Sequence, residues 1–150
     1  MEPSDHSLEI RDARPADAPA LAALLAELGF PGAAGAVAER LDAMLGAGEV
    51  VLVAVRDGKS LGLLTAHVTP VLHRPTPVGR LTALIVTESA RGQGIGRALV
   101  GAAERVFAMR GCGLVEVTSN RRLTDAHAFY ERLGYEVTSL RFKKSLVREI

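Results

Sequence analysis

Hydrophobic residues in the first half of the chain repeat with two different periods. The leucines between positions 21 and 28 lie three or four positions apart, which predicts an amphipathic helix that ends at Gly29. The same spacing predicts a second helix over residues 37–45. Continuous or alternating apolar runs predict three strands, over residues 8–11, 50–55 and 61–71.

Residues between these runs predict where elements begin and end. Asp17 can cap the first helix, with Pro19 in its first turn, where the missing N–H of proline costs little. Asp57-Gly58 favours a tight hairpin, because glycine accepts a positive φ easily. Three prolines between residues 70 and 77 predict a stiff connection to the second half.

The second half of the chain alternates strands and helices. Residues 81–86 and 114–119 predict strands. The helix between them has an apolar stripe at Ile95, Leu99, Ala102 and Val106. A shorter helix is predicted over about residues 125–133, capped by Thr124 and stopped by Gly134.

The order of these elements indicates one domain of the α/β class. A last segment, residues 135–146, has β character. Strands and helices then mix along the whole chain, which predicts a mixed sheet with helices on its faces. We expect all 150 residues to form one domain, because no linker interrupts a length typical of a single core.

Composition excludes several classes of protein. The chain is 48% hydrophobic and carries 18 basic and 17 acidic residues, too apolar and too balanced for a disordered protein. A net charge of +1 argues against general nucleic-acid binding, and one cysteine excludes an internal disulfide. No apolar run is long enough to span a membrane, and no signal peptide is evident, so we expect a cytoplasmic protein.

The densest glycine cluster lies between the strand over 81–86 and the next helix. Gly92, Gly94 and Gly96 let successive backbone N–H groups approach one ligand, and the positive end of the helix adds to them. Arg91 and Arg97 flank the turn and supply positive charge for a phosphate. The cluster matches neither a Walker loop nor a dinucleotide fingerprint. We therefore predict an anion site, against the alternative of a helix start without a ligand.

The spacing in this turn resembles the acyl-CoA-binding motif of the GNAT superfamily of N-acetyltransferases. The matching pattern is Val86-x-x-x-x-Arg91-Gly92-x-Gly94-Ile95-Gly96. A second match begins with Asn120 after the strand over 114–119. It continues in the helix, which is similar to the superfamily's other signature: Ala126-His127-Ala128-Phe129-Tyr130-Glu131-Arg132-Leu133-Gly134-Tyr135.

The resemblance implies both a fold and a co-substrate. The implied fold is a mixed, mostly antiparallel central sheet with helices on both faces, splayed at the two central strands. Acetyl-CoA would bind with its pyrophosphate on the turn and its pantetheine arm along the preceding strand. The residues implied in this binding are Leu84, Ile85, Val86, Arg91, Gly92, Gln93, Gly94, Ile95, Gly96, Arg97 and Asn120.

Tyr130 matches the usual general acid of the superfamily. A tyrosine, with an ordinary pKa of about 10, stays protonated at neutral pH and can donate to a departing thiolate. The alternative is a core aromatic like its neighbour Phe129. A backbone N–H near Val86 is the natural donor to the oxyanion.

The chain departs from the family pattern at two places. Glu88 stands where a proline is common, and the strand over residues 80–87 contains no carboxylate that could serve as a base. The remaining candidates for the general base are Glu88, His67, His73 and His127, besides a water relay or an amine that arrives neutral. The four histidines have no metal-ligand spacing, so we expect no metal.

The function implied by the resemblance is transfer of an acetyl group from acetyl-CoA to a primary amine by direct attack on the thioester. The alternative is a CoA-binding sensor or partner-binding module with little or no catalysis. A small-molecule amine is favoured over a protein as acceptor. The loop over residues 30–35 has no acid, so it offers no clamp for a polycation. The β-rich end could pair with a second copy to form a homodimer.

Overall fold

Five strands and four helices make up the described part of the chain. A computed structural model describes residues 7–119 and 124–147. The strands are β1 (Glu9–Asp12), β2 (Val50–Arg56), β3 (Lys59–Thr69), β4 (Val78–Val86) and β5 (Leu114–Val117). The helices are α1 (Ala18–Glu27), α2 (Ala34–Gly46), α3 (Ile95–Met109) and α4 (Thr124–Arg132). None of these helices is long and apolar enough to cross a membrane.

The chain divides into two compact units, one ending at Val117 and the other beginning at Thr118. All five strands lie in the first unit, in one sheet with the order β1-β2-β3-β4-β5. The first four strands are antiparallel, and β5 runs parallel to β4 because α3 carries the chain back along the sheet. The predicted mixed, mostly antiparallel sheet is confirmed.

The hairpin between β2 and β3 turns where the sequence predicts. Asp57 and Gly58 have φ values of 51° and 73°. Positive φ at both central positions is the primed turn that matches the twist of two paired strands. Arg56 pairs with Lys59 at this end of the sheet, so the hairpin fixes the position of the Arg56 backbone at the end of β2.

Helices cover both faces of the sheet. One buried cluster joins α1 and α2 to alternate residues of the strands, including Leu21, Leu41 and Val53. α3 packs on the opposite face, where Phe107 fills the space over Gly79. A Cβ on Gly79 would come within 2.5 Å of the Phe107 ring, so the glycine permits this close packing.

The buried face of α3 differs from the predicted stripe. Ile95 and Leu99 are buried as predicted, but the stripe then continues through Ala103 and Phe107 rather than Ala102 and Val106. A constant step of four residues follows one ridge of the helix. The large Phe107 ring fits the room left by Gly79, and this rotates the contact by one position relative to the prediction.

Asp17 precedes α1, as predicted, but its carboxylate does not cap that helix. Arg11 donates two hydrogen bonds to the two carboxylate oxygens, at 2.8 and 2.9 Å, and the Arg14 N–H donates a third at 2.7 Å. The bonds from Arg11, followed by that from Arg14, hold the pKa of Asp17 below its ordinary value. Asp17 therefore ties β1 to the chain that enters α1.

We expect Asp17→Asn to lower the free energy of unfolding by about 1–3 kcal/mol at neutral pH, the usual worth of a charged hydrogen bond. Because the folded pKa is lowered, this stabilisation is present above the ordinary aspartate pKa of about 3.9 and is lost as the pH falls through the folded value. Urea unfolding at pH 7 and at a pH below the folded pKa of Asp17 measures this stabilisation. Asp42→Asn, at an exposed position of α2, is the matched control. Equal stability of Asp17→Asn and the native protein at pH 7 would contradict this role.

Two predictions for the C-terminal part of the chain are wrong. Residues 135–147 contain no strand, and β5 ends at Val117 rather than at residue 119. Val137, Phe142 and Leu146 are 79%, 89% and 92% exposed. A strand needs a neighbour for its backbone N–H and C=O groups, and no segment among the described residues pairs with 135–147. Alternating apolar residues were therefore insufficient to form a strand here.

Candidate functional site

Among the described residues, the C-terminal half of β4 has one edge without a partner strand. Pairing between β4 and β5 begins at Val78 and ends where Leu81 meets Val117. Beyond that point Leu84, Ile85 and Val86 continue as strand and pair with β3 alone. Within the described residues, no strand pairs with their other edge. Backbone groups along such an edge can bind an extended ligand by hydrogen bonds.

The chain turns into α3 through two glycines in the left-handed region. Gly92 and Gly94 have φ values of +79° and +81°, which only glycine adopts at little cost. Both are exposed, and a Cβ on either would meet no atom of the described chain within 4 Å. The glycines are therefore required by the backbone path rather than by close packing.

The first turn of α3 presents free backbone donors. Gly94 is the N-cap residue, and no side chain caps the helix there. The first bond within this turn runs from the Ala98 N–H to the Gly94 carbonyl at 3.0 Å. The N–H groups of the first turn before Ala98 have no partner within the helix, and they lie at the positive end of the helix dipole. This geometry fits an anion, and a pyrophosphate in particular, because it offers several donors close together.

Arginines surround the turn, including one that the sequence analysis missed. Arg56, at the end of β2, donates from Nη1 to the Gln93 Oε1 at 2.8 Å. Arg91 donates from Nε to the Val86 carbonyl at 3.2 Å, so its side chain folds back onto the end of β4. Arg97 is exposed in the first turn of α3. Only the strand order places Arg56 here, and no local motif indicates it.

A carboxylate from α1 also reaches this region and was not predicted. Glu27, the last residue of α1, accepts hydrogen bonds from the Thr87 hydroxyl at 2.9 and 3.1 Å and from the Glu88 N–H at 3.1 Å. The bond from the Glu88 N–H, followed by that from Thr87, lowers the pKa of Glu27. Glu27 therefore remains ionised at neutral pH, beside the joint between β4 and the glycine turn.

Tyr130 lies on α4 in the C-terminal unit. Its ring packs edge-on against Phe129, with centroids 5.1 Å apart, and against Tyr135, at 5.7 Å. Burial raises the pKa of the Tyr130 hydroxyl above its ordinary value, because the phenolate would lose hydration. The hydroxyl is thus protonated throughout the neutral range. Asn120, the other residue expected to touch the cofactor from this unit, lies outside the described residues.

The candidate bases occupy scattered positions. His67 lies on β3, with Nδ1 3.8 Å from the Glu49 carboxylate and Nε2 3.2 Å from the Thr69 hydroxyl. His73 is exposed in the connection before β4, and His127 is on α4. The assignment of a base stays open, as it was from the sequence.

Comparison with known proteins gives the family. The sequence model of the acetyltransferase (GNAT) family matches residues 18–135. The aminoalkylphosphonate N-acetyltransferase of Salmonella typhimurium is 36% identical over 94 residues, which are 63% of this chain and 61% of that protein. The aminoglycoside N(6')-acetyltransferase type 1 of Stenotrophomonas maltophilia is 34% identical over 135 residues, covering 86% of each chain. A solved acetyltransferase of Trypanosoma brucei is 26% identical, with a TM-score of 0.82 over 93% of this chain and 100% of its own.

The chain belongs to the acetyltransferase (GNAT) family. The resemblance to this family that the sequence indicated is therefore confirmed. The chain spans about three fifths of the Salmonella relative, at 61%.

Proposed function

We propose that the protein transfers the acetyl group of acetyl-CoA to the primary amine of a small molecule. The observation that carries the proposal is the start of α3, where no side chain caps the helix and Gly92 and Gly94 are in the left-handed region. It follows a strand whose last residues pair on one edge only with a described strand. These two features suit the two ends of one ligand. The turn suits the pyrophosphate, and the strand edge suits the amide-bearing pantetheine arm.

The binding residues act mainly through their backbones. Leu84, Ile85 and Val86 would pair with the amides of the pantetheine arm, as a neighbouring strand would. Residues 92–97 would donate N–H groups to the pyrophosphate oxygens. Arg56 and Arg97 would add positive charge around it.

Acetyl-CoA supplies the activated carbonyl as a thioester. The amine nitrogen forms a bond to that carbonyl carbon, and the carbon–sulfur bond then breaks. A β4 backbone N–H near Val86 would stabilise the oxyanion between these two events. Tyr130 would give its hydroxyl proton to the departing sulfur, and its raised pKa keeps that proton in place until then. The proton that the amine nitrogen loses on becoming an amide would pass through water and restore the Tyr130 hydroxyl.

The acceptor class is supported by the relatives and by local charge. The two relatives are named for an aminoalkylphosphonate and for an aminoglycoside, and both substrates are small molecules that carry amines. The loop after α1, residues 30–35, contains no acid. Among small amines, this lack of an acid favours an acceptor with few positive charges, such as an aminoalkylphosphonate, over a polycationic one such as an aminoglycoside.

Release of free thiol from acetyl-CoA across a panel of amines tests this function. The panel should include aminoalkylphosphonates, aminoglycosides, free amino acids and a lysine-containing peptide. We expect turnover with at least one small amine and none with the peptide. CoA binding by calorimetry without thiol release from any amine would favour the alternative, a CoA-binding module without catalysis.

A further inference from the structure

Glu27 connects two parts of the first unit that are far apart in sequence. It ends α1, and it accepts hydrogen bonds from residues about 60 positions later: one from the Thr87 hydroxyl, shared between its two carboxylate oxygens, and one from the Glu88 N–H. These two residues form the joint at which the chain leaves β4. The short 3₁₀ turn Glu88–Ala90 follows, and the glycine turn begins immediately after it.

The same joint is held from other directions. The Thr87 N–H donates to the Leu61 carbonyl of the neighbouring strand at 2.9 Å. Ala90, at the end of the 3₁₀ turn, is buried at 4% exposure. Between these fixed points, Glu27 provides the side-chain contact that holds the Glu88 N–H. A rotation of the backbone at this joint would move the whole glycine turn, because Gly92 is only four residues away.

The residue at position 88 makes this contact possible. A proline at this position would have no N–H to donate. In this chain Glu88 supplies a backbone N–H, which Glu27 accepts at 3.1 Å. The Glu27 carboxylate is therefore placed to use an N–H that proline would lack.

We propose that Glu27 is a positioning residue. It fixes the backbone conformation where the chain leaves β4 and so orients the N–H groups of the glycine turn toward the phosphates of CoA. The inference rests on the function proposed above, since it concerns the same site. Glu27 acts through Thr87 and Glu88, and its role is to accept their hydrogen bonds. A neutral acceptor of the same shape therefore performs much of the same role.

Three variants test the proposal. Glu27→Ala removes the acceptor, and Glu27→Gln keeps one amide oxygen without the charge. Glu39→Ala removes an exposed glutamate of α2 as the matched control. Two quantities are measured for each: amide hydrogen exchange over residues 87–94 in the protein without ligand, and the Kd for CoA by calorimetry.

We expect Glu27→Ala to speed exchange at Glu88 and to raise the Kd for CoA about tenfold, the scale of one lost hydrogen-bonded contact. Glu27→Gln should stay within about threefold of the native Kd, and Glu39→Ala should match it. The double variant with Thr87→Val should bind CoA no more weakly than Glu27→Ala alone, because both changes remove the same contact.

Two results would overturn the inference. One is a native Kd for Glu27→Ala despite faster exchange at Glu88; the other is an equal loss in Glu27→Gln and Glu27→Ala, which would make the charge itself the active feature. Absence of CoA binding by the native protein would instead overturn the proposed function and the inference together.

Discussion

Gly94→Glu is expected to raise the Kd for CoA at least a hundredfold. The change places a side chain where φ is +81°, and it puts a carboxylate at the donors that are to meet the pyrophosphate. Repulsion between the new carboxylate and the adjacent pyrophosphate outweighs any contact that the new side chain could add. Calorimetric titration with CoA measures the loss.

The control for backbone strain is Gly111→Glu. Gly111 follows α3 with a φ of +80°, and a Cβ there also meets open space. Both variants should therefore lose similar stability in a thermal melt, whereas only Gly94→Glu should lose CoA binding. A native Kd for Gly94→Glu would show that the phosphates bind elsewhere.

Tyr130→Phe is expected to lower kcat by about 10²–10⁴, the usual contribution of a general acid, with little change in the Kd for CoA. The substitution removes only the hydroxyl, so the edge-on packing against Phe129 and Tyr135 can persist. Tyr135→Phe is the matched control and should keep turnover within a few-fold. Equal kcat for Tyr130→Phe and the native protein would make Tyr130 a packing residue.

The pH dependence of kcat gives a second test of Tyr130. Burial raises the pKa of Tyr130, so its hydroxyl is protonated below the ordinary tyrosine pKa of about 10. The hydroxyl loses its proton only as the pH rises through the higher pKa of the folded protein. The native protein should therefore show no fall in kcat from Tyr130 between pH 7 and 9. A fall in that range that disappears in Tyr130→Phe would contradict the raised pKa.

Local patterns predicted most elements of the fold. The Asp57-Gly58 hairpin and the glycine turn were found because their chemistry lies within a few residues, where a positive φ dictates glycine. Runs of apolar residues predicted the strands, and the family resemblance implied that most of them pair antiparallel. The parallel pairing of β5 with β4 lies in no local pattern and was not predicted.

Contacts between distant segments could not be predicted. Glu27 meets Thr87 across about 60 residues, and Arg56 meets Gln93 across 37. Each side chain alone looks like an ordinary exposed charge. Asp17 shows the same limit at short range, since a standard capping residue instead binds Arg11. The segment 135–147 was misjudged because a strand depends on a partner as much as on its own alternation.

An NMR titration of the native protein with CoA tests the central claim most directly, because amide shifts report the site residue by residue. Binding of the phosphates at the start of α3 and of the pantetheine arm along β4 predicts the largest shifts at the amides of residues 84–86 and 92–97. Saturable binding whose shifts leave both segments unchanged would contradict the account.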